Sequence, residues 1–156
     1  MNFRLGENSD AFRREVREFL QEHLTAETIE RVHETGTIHD WALHRALGAK
    51  GWIGAAWPEE YGGQERDPFE MAAFHEEAAR AGAPLDGMLI SLMVANTLRH
   101  IGWEQQKREI LPRVLRGEIL IALGYSEPSA GSDVAAVRTR AERREDNWVI
   151  NGEKVF

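Results

Sequence analysis

Leu123-Gly124-Tyr125-Ser126-Glu127-Pro128-Ser129-Ala130-Gly131-Ser132-Asp133 is where this chain changes character. The residues leading into it, Ile119-Leu120-Ile121-Ala122-Leu123-Gly124-Tyr125-Ser126, are short in run and rich in strand formers, so they predict a strand that ends in a Pro/Gly/Ser/Asp loop. Small residues let a backbone approach a ligand closely, and successive N–H groups in such a turn form an anion-binding nest. Ser126 and Ser132 add hydroxyls suited to a carbonyl-rich ring or a phosphate oxygen. Taken alone, Ala130-Gly131-Ser132-Asp133 is an ordinary surface turn. Its neighbours on both sides decide what it is.

Upstream, the chain reads as helical. Phe12, Val16, Phe19, Leu20 and Leu24 recur at three- and four-residue steps, and Ser9 is placed to cap the helix they belong to. A second helix is expected from Asp40 to Lys50, with Trp41, Leu43 and Leu47 apolar and Gly51 at its stop. Pro58-Glu59-Glu60-Tyr61-Gly62-Gly63 is a compact turn. Asp67 followed by Pro68 marks a helix start, because proline at the first helical position loses no hydrogen bond; that helix runs to Ala81. Asp86 to Ile101 is apolar around most of its circumference and predicts a buried helix. Glu104 to Arg116 predicts another, which Pro112 is expected to kink or divide, with Gly117 at its end.

Downstream, Val137, Thr139 and Ala141 alternate with Arg138, Arg140 and Glu142, as a strand with one wet face does. Glu145-Asp146-Asn147 predicts a turn and Trp148-Val149-Ile150 the returning strand, while Asn151-Gly152 reads as a further hairpin turn. The expected fold class is therefore mainly α: an N-terminal helical bundle domain over residues 1–118, then the first strands of a small β-barrel-like domain over 119–156. The second domain reads as incomplete, with Glu153 to Phe156 opening another strand.

Composition bounds the function. The chain has 156 residues, 42% hydrophobic and 29% charged, which is a globular balance rather than a disordered one. It has no apolar run long enough to cross a bilayer, and Met1 to Glu7 lacks the apolar centre of a signal peptide, so no membrane insertion is expected. A net charge of −7 argues against a nucleic-acid partner. With no cysteine, disulfides and thiolate metal sites are ruled out, in keeping with a cytoplasmic location. Six histidines do not make a metal site: His39 and His44 stand five apart, and His75-Glu76-Glu77 lacks a second histidine at zinc-binding spacing. No metal ligands are assigned. The basic cluster Arg138, Arg140, Arg143 and Arg144 reads as a solvated strand face.

Several runs, in order, resemble the acyl-CoA dehydrogenase family. They are Leu47-Gly48-Ala49-Lys50-Gly51-Trp52, Pro58 to Gly63, Gly102-Trp103-Glu104-Gln105-Gln106-Lys107 with Leu111-Pro112 and Gly117-Glu118, the Leu123 to Asp133 segment, and Trp148-Val149-Ile150-Asn151-Gly152-Glu153-Lys154. The resemblance covers nearly the whole chain. It implies FAD held without a G-x-G-x-x-G fingerprint, which this sequence also lacks. By position, Leu123, Gly124, Tyr125 and Ser126 would lie along the flavin ring, and Ala130, Gly131 and Ser132 near the pyrophosphate. Ser132 would also lie near the CoA portion of the substrate. Met93 and Thr97 would line part of the acyl pocket, although core packing is the default role of each. Ser129 stands where the family often has glycine, which bears on loop detail only.

The reaction this implies is α,β-dehydrogenation of an acyl-CoA thioester, with a base taking the α-proton and flavin taking the β-hydride. The family's base is a glutamate well beyond the middle domain, so no catalytic residue is assigned here and the base is expected beyond Phe156. Glu127 is not that base by the resemblance. The family also implies an electron-transfer flavoprotein as acceptor and a homo- or hetero-oligomer. The Trp57-Pro58 turn and Gly124-Tyr125-Ser126-Glu127-Pro128 look like bacterial members acting on bulky substrates, steroid side chains among them. Two alternatives stay open: a noncatalytic partner subunit of a heteromeric dehydrogenase, and a flavin oxidase or monooxygenase of the same fold.

Overall fold

The structure is a computed structural model that describes residues 6–155. Six helices and one hairpin follow in order: α1 Glu7–His23, α2 Ala26–Thr35, α3 Trp41–Ala49, α4 Pro68–Ala81, α5 Asp86–Ile101, α6 Glu104–Leu115, β1 Arg140–Arg144 and β2 Asn147–Asn151. The chain divides into two compact units, one ending at Ile121 and one starting at Ala122. The change in sequence character at Ile119 comes three residues earlier, because Ile119 and Ile121 pack beside Ala95, Leu111 and Val114 of the helical unit. Ser91, fully buried on α5, ties that exit segment down: its hydroxyl accepts from the N–H of Ile121 at 2.9 Å.

Local signals explain where the helices start and stop. Asp67 accepts from the N–H of Phe69 at 2.7 Å while the Glu70 carboxylate accepts from the N–H of Asp67 at 3.2 Å, so two donors at the head of α4 are satisfied reciprocally. Asp40 caps α3 through the N–H of Leu43 at 2.7 Å. After α3, Gly51 takes a left-handed φ of +69°; its N–H donates to Gly48 and the N–H of Trp52 donates to Leu47. That glycine turn throws the Trp52 side chain into the core. There it meets Phe12, Phe19 and Phe74 with ring centroids 5.2, 4.9 and 6.0 Å away.

The main core joins α1, α3, α4 and the start of α5 through Val16, Leu20, Leu43, Leu47, Ile53, Phe74 and Met88. One charge cluster edges it. Glu77, 3% exposed on α4, accepts from Arg17 at 3.0 Å to each oxygen and from Arg13 at 2.9 Å. The Arg17 hydrogen bonds, followed by those of Arg13, hold the Glu77 carboxyl at about 2, against the opposing cost of burial. Glu77→Gln leaves two guanidiniums facing a neutral amide, but both can turn to water, so a loss of about 1–3 kcal/mol is expected. Urea unfolding at neutral pH checks this: an unchanged midpoint would make the cluster a surface ornament.

Several sequence expectations need correction. α1 begins at Glu7 behind Gly6, not at a Ser9 cap; Ser9 is buried inside the helix. The stretch between Leu24 and Asp40 holds α2, capped by the Thr25 hydroxyl accepting from the N–H of Thr28 at 3.1 Å and closed by Gly36 at φ +66°. No residue of α2 is buried, which is why its apolar pattern is too thin to signal it. α5 is not buried all round: Leu89, Ile90, Met93 and Ile101 are exposed along one side. Pro112 does not divide α6, which continues to Leu115.

Ile119 to Ser126, which runs from the end of the first unit into the second, forms no strand, since none of it pairs with a ladder partner among the described residues. The hairpin β1–β2 is antiparallel, with Arg140 opposite Asn151 and Arg144 opposite Asn147. Its turn is Glu145-Asp146, with Glu145 at φ +54°, and it lies where the sequence placed it. Asn151-Gly152, by contrast, makes no second hairpin turn: Asn151 is the last residue of β2. Gly152 meets a different need, because a Cβ there would lie 2.1 Å from the Thr139 hydroxyl oxygen. Val137 and Thr139 precede β1 rather than belonging to it.

Candidate functional site

Residues 123–133 lie wholly within the second unit. Among the described residues, the backbone N–H groups of Leu123, Gly124, Tyr125 and Ser126 donate no hydrogen bond, and neither do those of Gly131, Ser132 and Asp133. Backbone donors left free in water-facing segments are available to a ligand without first breaking a protein contact. Gly124, Tyr125, Ser129, Gly131 and Ser132 are exposed, and nothing lies within 4 Å of a Cβ placed on Gly131. Pro128 and Ser129 sit at the tip of a turn closed by the Glu127 N–H donating to Ala130 at 2.8 Å and the Ala130 N–H donating back at 3.1 Å. Ala130 itself is buried, so its side chain packs rather than faces a ligand.

Glu127 is the one ionised group buried in this loop. Its Oε2 accepts from the N–H of Arg138 at 2.7 Å; its Oε1 accepts from the N–H of Thr139 at 2.8 Å and from Lys154 Nζ at 3.0 Å. Lys154 Nζ also donates to the Tyr125 carbonyl at 3.1 Å, and the Val155 N–H donates to the Ser126 carbonyl at 3.0 Å. The Thr139 hydroxyl beside it, then the two backbone N–H groups, hold the carboxyl at about 2, with Lys154 adding to them and burial opposing. That hydroxyl is buried without a hydrogen bond of good geometry, so the two N–H donors are the firmer part of the arrangement. A carboxylate so placed is already satisfied and does not take protons near neutral pH. Sequence reading noticed Glu127 but missed Lys154 and Thr139 as its partners, because no local pattern joins residues 12 and 27 positions apart.

Met93 and Thr97 belong to the helical unit. Met93 is exposed on α5, one turn before Thr97, whose hydroxyl donates to the Met93 carbonyl at 3.2 Å. Neither fills the core, so the default packing role does not apply to them.

The N-terminal domain of acyl-CoA dehydrogenases, as a sequence family, matches residues 6–118. The chain belongs to the acyl-CoA dehydrogenase family. Two curated members from Mycobacterium tuberculosis resemble it closely. The acyl-CoA dehydrogenase FadE26 is 37% identical over 153 residues, covering 94% of this chain and 38% of that protein. FadE29 is 44% identical over 115 residues, covering 74% of this chain and 30% of that protein. Among solved structures, the ChsE4–ChsE5 complex of Mycobacterium tuberculosis aligns with 99% of this chain and 39% of that one, at 36% identity and a TM-score of 0.84. The chain thus spans well under half the length of these acyl-CoA dehydrogenases. Mostly helical, with a two-stranded sheet after its helices, it agrees in architecture with the part of these acyl-CoA dehydrogenases that it matches.

Proposed function

We propose that this chain is the N-terminal part of an FAD-dependent enzyme that desaturates an acyl-CoA thioester between its α and β carbons. The observation that carries the reading is the pair of free backbone donor runs, 123–126 and 131–133, flanking one rigid turn. Leu123, Gly124, Tyr125 and Ser126 would hold the polar edge of the flavin ring through N–H groups that point at no protein acceptor. Gly131 and Ser132 would hold the pyrophosphate through their backbone N–H groups and the Ser132 hydroxyl, beside Ala130, whose own N–H is taken by the Glu127 carbonyl. Ser132 would also reach the CoA portion of the substrate, and Met93 and Thr97 would line the acyl chain. FAD, when bound, supplies the acceptor for the β-hydride. The α-proton goes to a base, and Glu127 is not that base, because its carboxylate is committed to Arg138, Thr139 and Lys154. By the family resemblance, the base would be a glutamate beyond Phe156.

The named neighbours favour a bulky substrate and a mixed assembly. One solved relative, at a TM-score of 0.84 and 39% identity, is the Tcur3481–Tcur3483 steroid acyl-CoA dehydrogenase, and ChsE4–ChsE5 is likewise a complex of two named chains. We therefore propose that this chain works in a hetero-oligomer on a steroid-side-chain acyl-CoA; a cytoplasmic location and an electron-transfer flavoprotein as acceptor are proposed from the family resemblance alone. The same neighbours support a second reading, in which this chain belongs to the subunit that completes its partner's site.

The test uses the whole gene product that contains this chain, purified with any subunit it co-purifies with. Visible flavin absorbance in the protein fraction is expected, together with anaerobic bleaching when a steroid-side-chain acyl-CoA is added. A protein that takes up no FAD, with or without its partner, would sink the reading. Uptake only in the presence of the partner would favour the second one.

A further inference from the structure

The geometry points to Glu127 as a positioning residue that sets the shape of the flavin-binding loop, with Lys154 as its second arm. This inference rests on the FAD reading of residues 123–132. Apart from the Asp133 carbonyl, which accepts from the N–H of Ala136, the hydrogen bonds made by the loop among the described residues converge on Glu127 or on the two residues before it. The reciprocal Glu127–Ala130 bonds close the turn, Lys154 Nζ bridges the Glu127 carboxylate and the Tyr125 carbonyl, and the Val155 N–H holds the Ser126 carbonyl. On the far side, the carboxylate takes both consecutive N–H groups at the entry to β1. One buried anion thereby joins the loop, the entry to β1 and the segment that follows β2.

Location gives this joint its consequence. The free donors of 123–126 lie on one side of Glu127 and those of 131–133 on the other. Neither run has a regular ladder or helix to fix it, so their spacing is set by the turn between them. Hydrogen bonds to an ionised acceptor are shorter and stronger than neutral ones, and a carboxylate held by two N–H groups and an ammonium has little freedom to tilt. Glutamine keeps the shape but replaces one acceptor oxygen with an NH2 group, which must face either an N–H or the lysine. Aspartate is one methylene short of reaching both. The fit behind β1 is equally close, since Gly152 leaves no room for a side chain against Thr139. A plain surface turn has no need of three donors on a buried carboxylate.

The test compares wild type with Glu127→Gln, Lys154→Met and Lys154→Arg in the same whole gene product. Three readouts are taken: the FAD dissociation constant, the thermal midpoint of the apoprotein, and amide exchange at Arg138, Thr139 and Val155. For Glu127→Gln, FAD binding is expected to weaken by about 10- to 100-fold, as loss of charge-assisted bonds implies. Lys154→Met should weaken it less, and Lys154→Arg should recover most of that loss. The apoprotein midpoint should barely move, because the loop lies outside the helical core, while amide exchange at Arg138 and Thr139 should speed up in Glu127→Gln. Unchanged FAD affinity in Glu127→Gln overturns the positioning role, as does a loss in affinity that merely follows a fall in midpoint. If wild type binds no FAD, the function proposed above fails on its own. Exchange at Arg138 and Thr139 then still decides whether Glu127 sets the loop: acceleration supports it, and wild-type rates overturn it.

Discussion

Replacing Trp52 with alanine is expected to lower the stability of the helical unit by about 3–5 kcal/mol, the usual cost of emptying a buried aromatic site. Trp52 is 2% exposed and touches aromatic rings from both α1 and α4, so its loss opens a cavity at the seam of the two helices that pack most closely. The surroundings are poorly able to collapse into that space. The backbone of residue 52 is fixed by its bond to Leu47, and Phe74, Leu47 and Val16 are already fully buried. Against a typical total stability of roughly 5–15 kcal/mol, such a loss is a large fraction. Urea unfolding followed by the helical circular dichroism signal measures it, with Trp103→Ala as the control. Trp103 is 79% exposed, so its truncation should shift the midpoint little. Equal shifts for the two variants would refute the placement of Trp52 at the centre of the core.

Trp52 also shows what could be read in advance. The Gly51 stop and the apolar run after it were visible in the sequence, because a left-handed turn and a helix stripe are local matters. For the same reason α4 and α5 fall on their expected limits: Asp67-Pro68 and Gly82 are signals spoken by single residues. α2 was illegible because it buries nothing, and a helix without a buried face leaves only its Thr25 cap and its Gly36 stop to announce it. The opposite failure occurred at Ile119 to Ser126. Strand propensity reports how well a residue fits a pleated, half-buried surface, and no such surface meets this stretch among the described residues. Ile119 and Ile121 find apolar company against α5 and α6 instead. At Asn151-Gly152 the residue types suit a turn, but the glycine is required by the approach of Thr139, a contact no local rule contains. For the candidate site, the positions 123–132 came from ordered motifs along the chain. The clasp that shapes them could not, since Lys154 meets Glu127 only after the hairpin has folded.

Acid should weaken the helical unit in two separable steps, and His44 governs the first. His44 is 1% exposed on α3, its ring 4.9 Å from that of His39, with Trp41 edge-on to both. None of the four imidazole nitrogens has a hydrogen-bond partner among the described residues. Burial, then the neighbouring His39 and Arg45, pushes the His44 pKa down to about 4, and burial lowers that of His39 against the attraction of Asp40. Asp40 in turn is bonded to Arg31, so little negative charge is left to welcome a proton.

The direction follows from proton counting. With a folded pKa below the unfolded value near 6.5, the unfolded chain binds more protons than the folded one as pH falls from about 6.5 to 4. Stability contributed by a neutral His44 is thus complete above that window and declines through it, by about 2–3 kcal/mol in all. The carboxylate acts lower down: Glu77, held at about 2, gives up its contribution only as pH falls from the usual carboxylate range towards 2. His44→Leu removes two unpartnered nitrogens and keeps the site apolar. Its urea midpoint should lose much of its slope between pH 7 and 5, keeping a remnant due to His39 and His75, whose pKa values burial also lowers, while the second step survives. If the variant loses stability over that interval as steeply as wild type, the imidazole at position 44 is not the group that reads the proton.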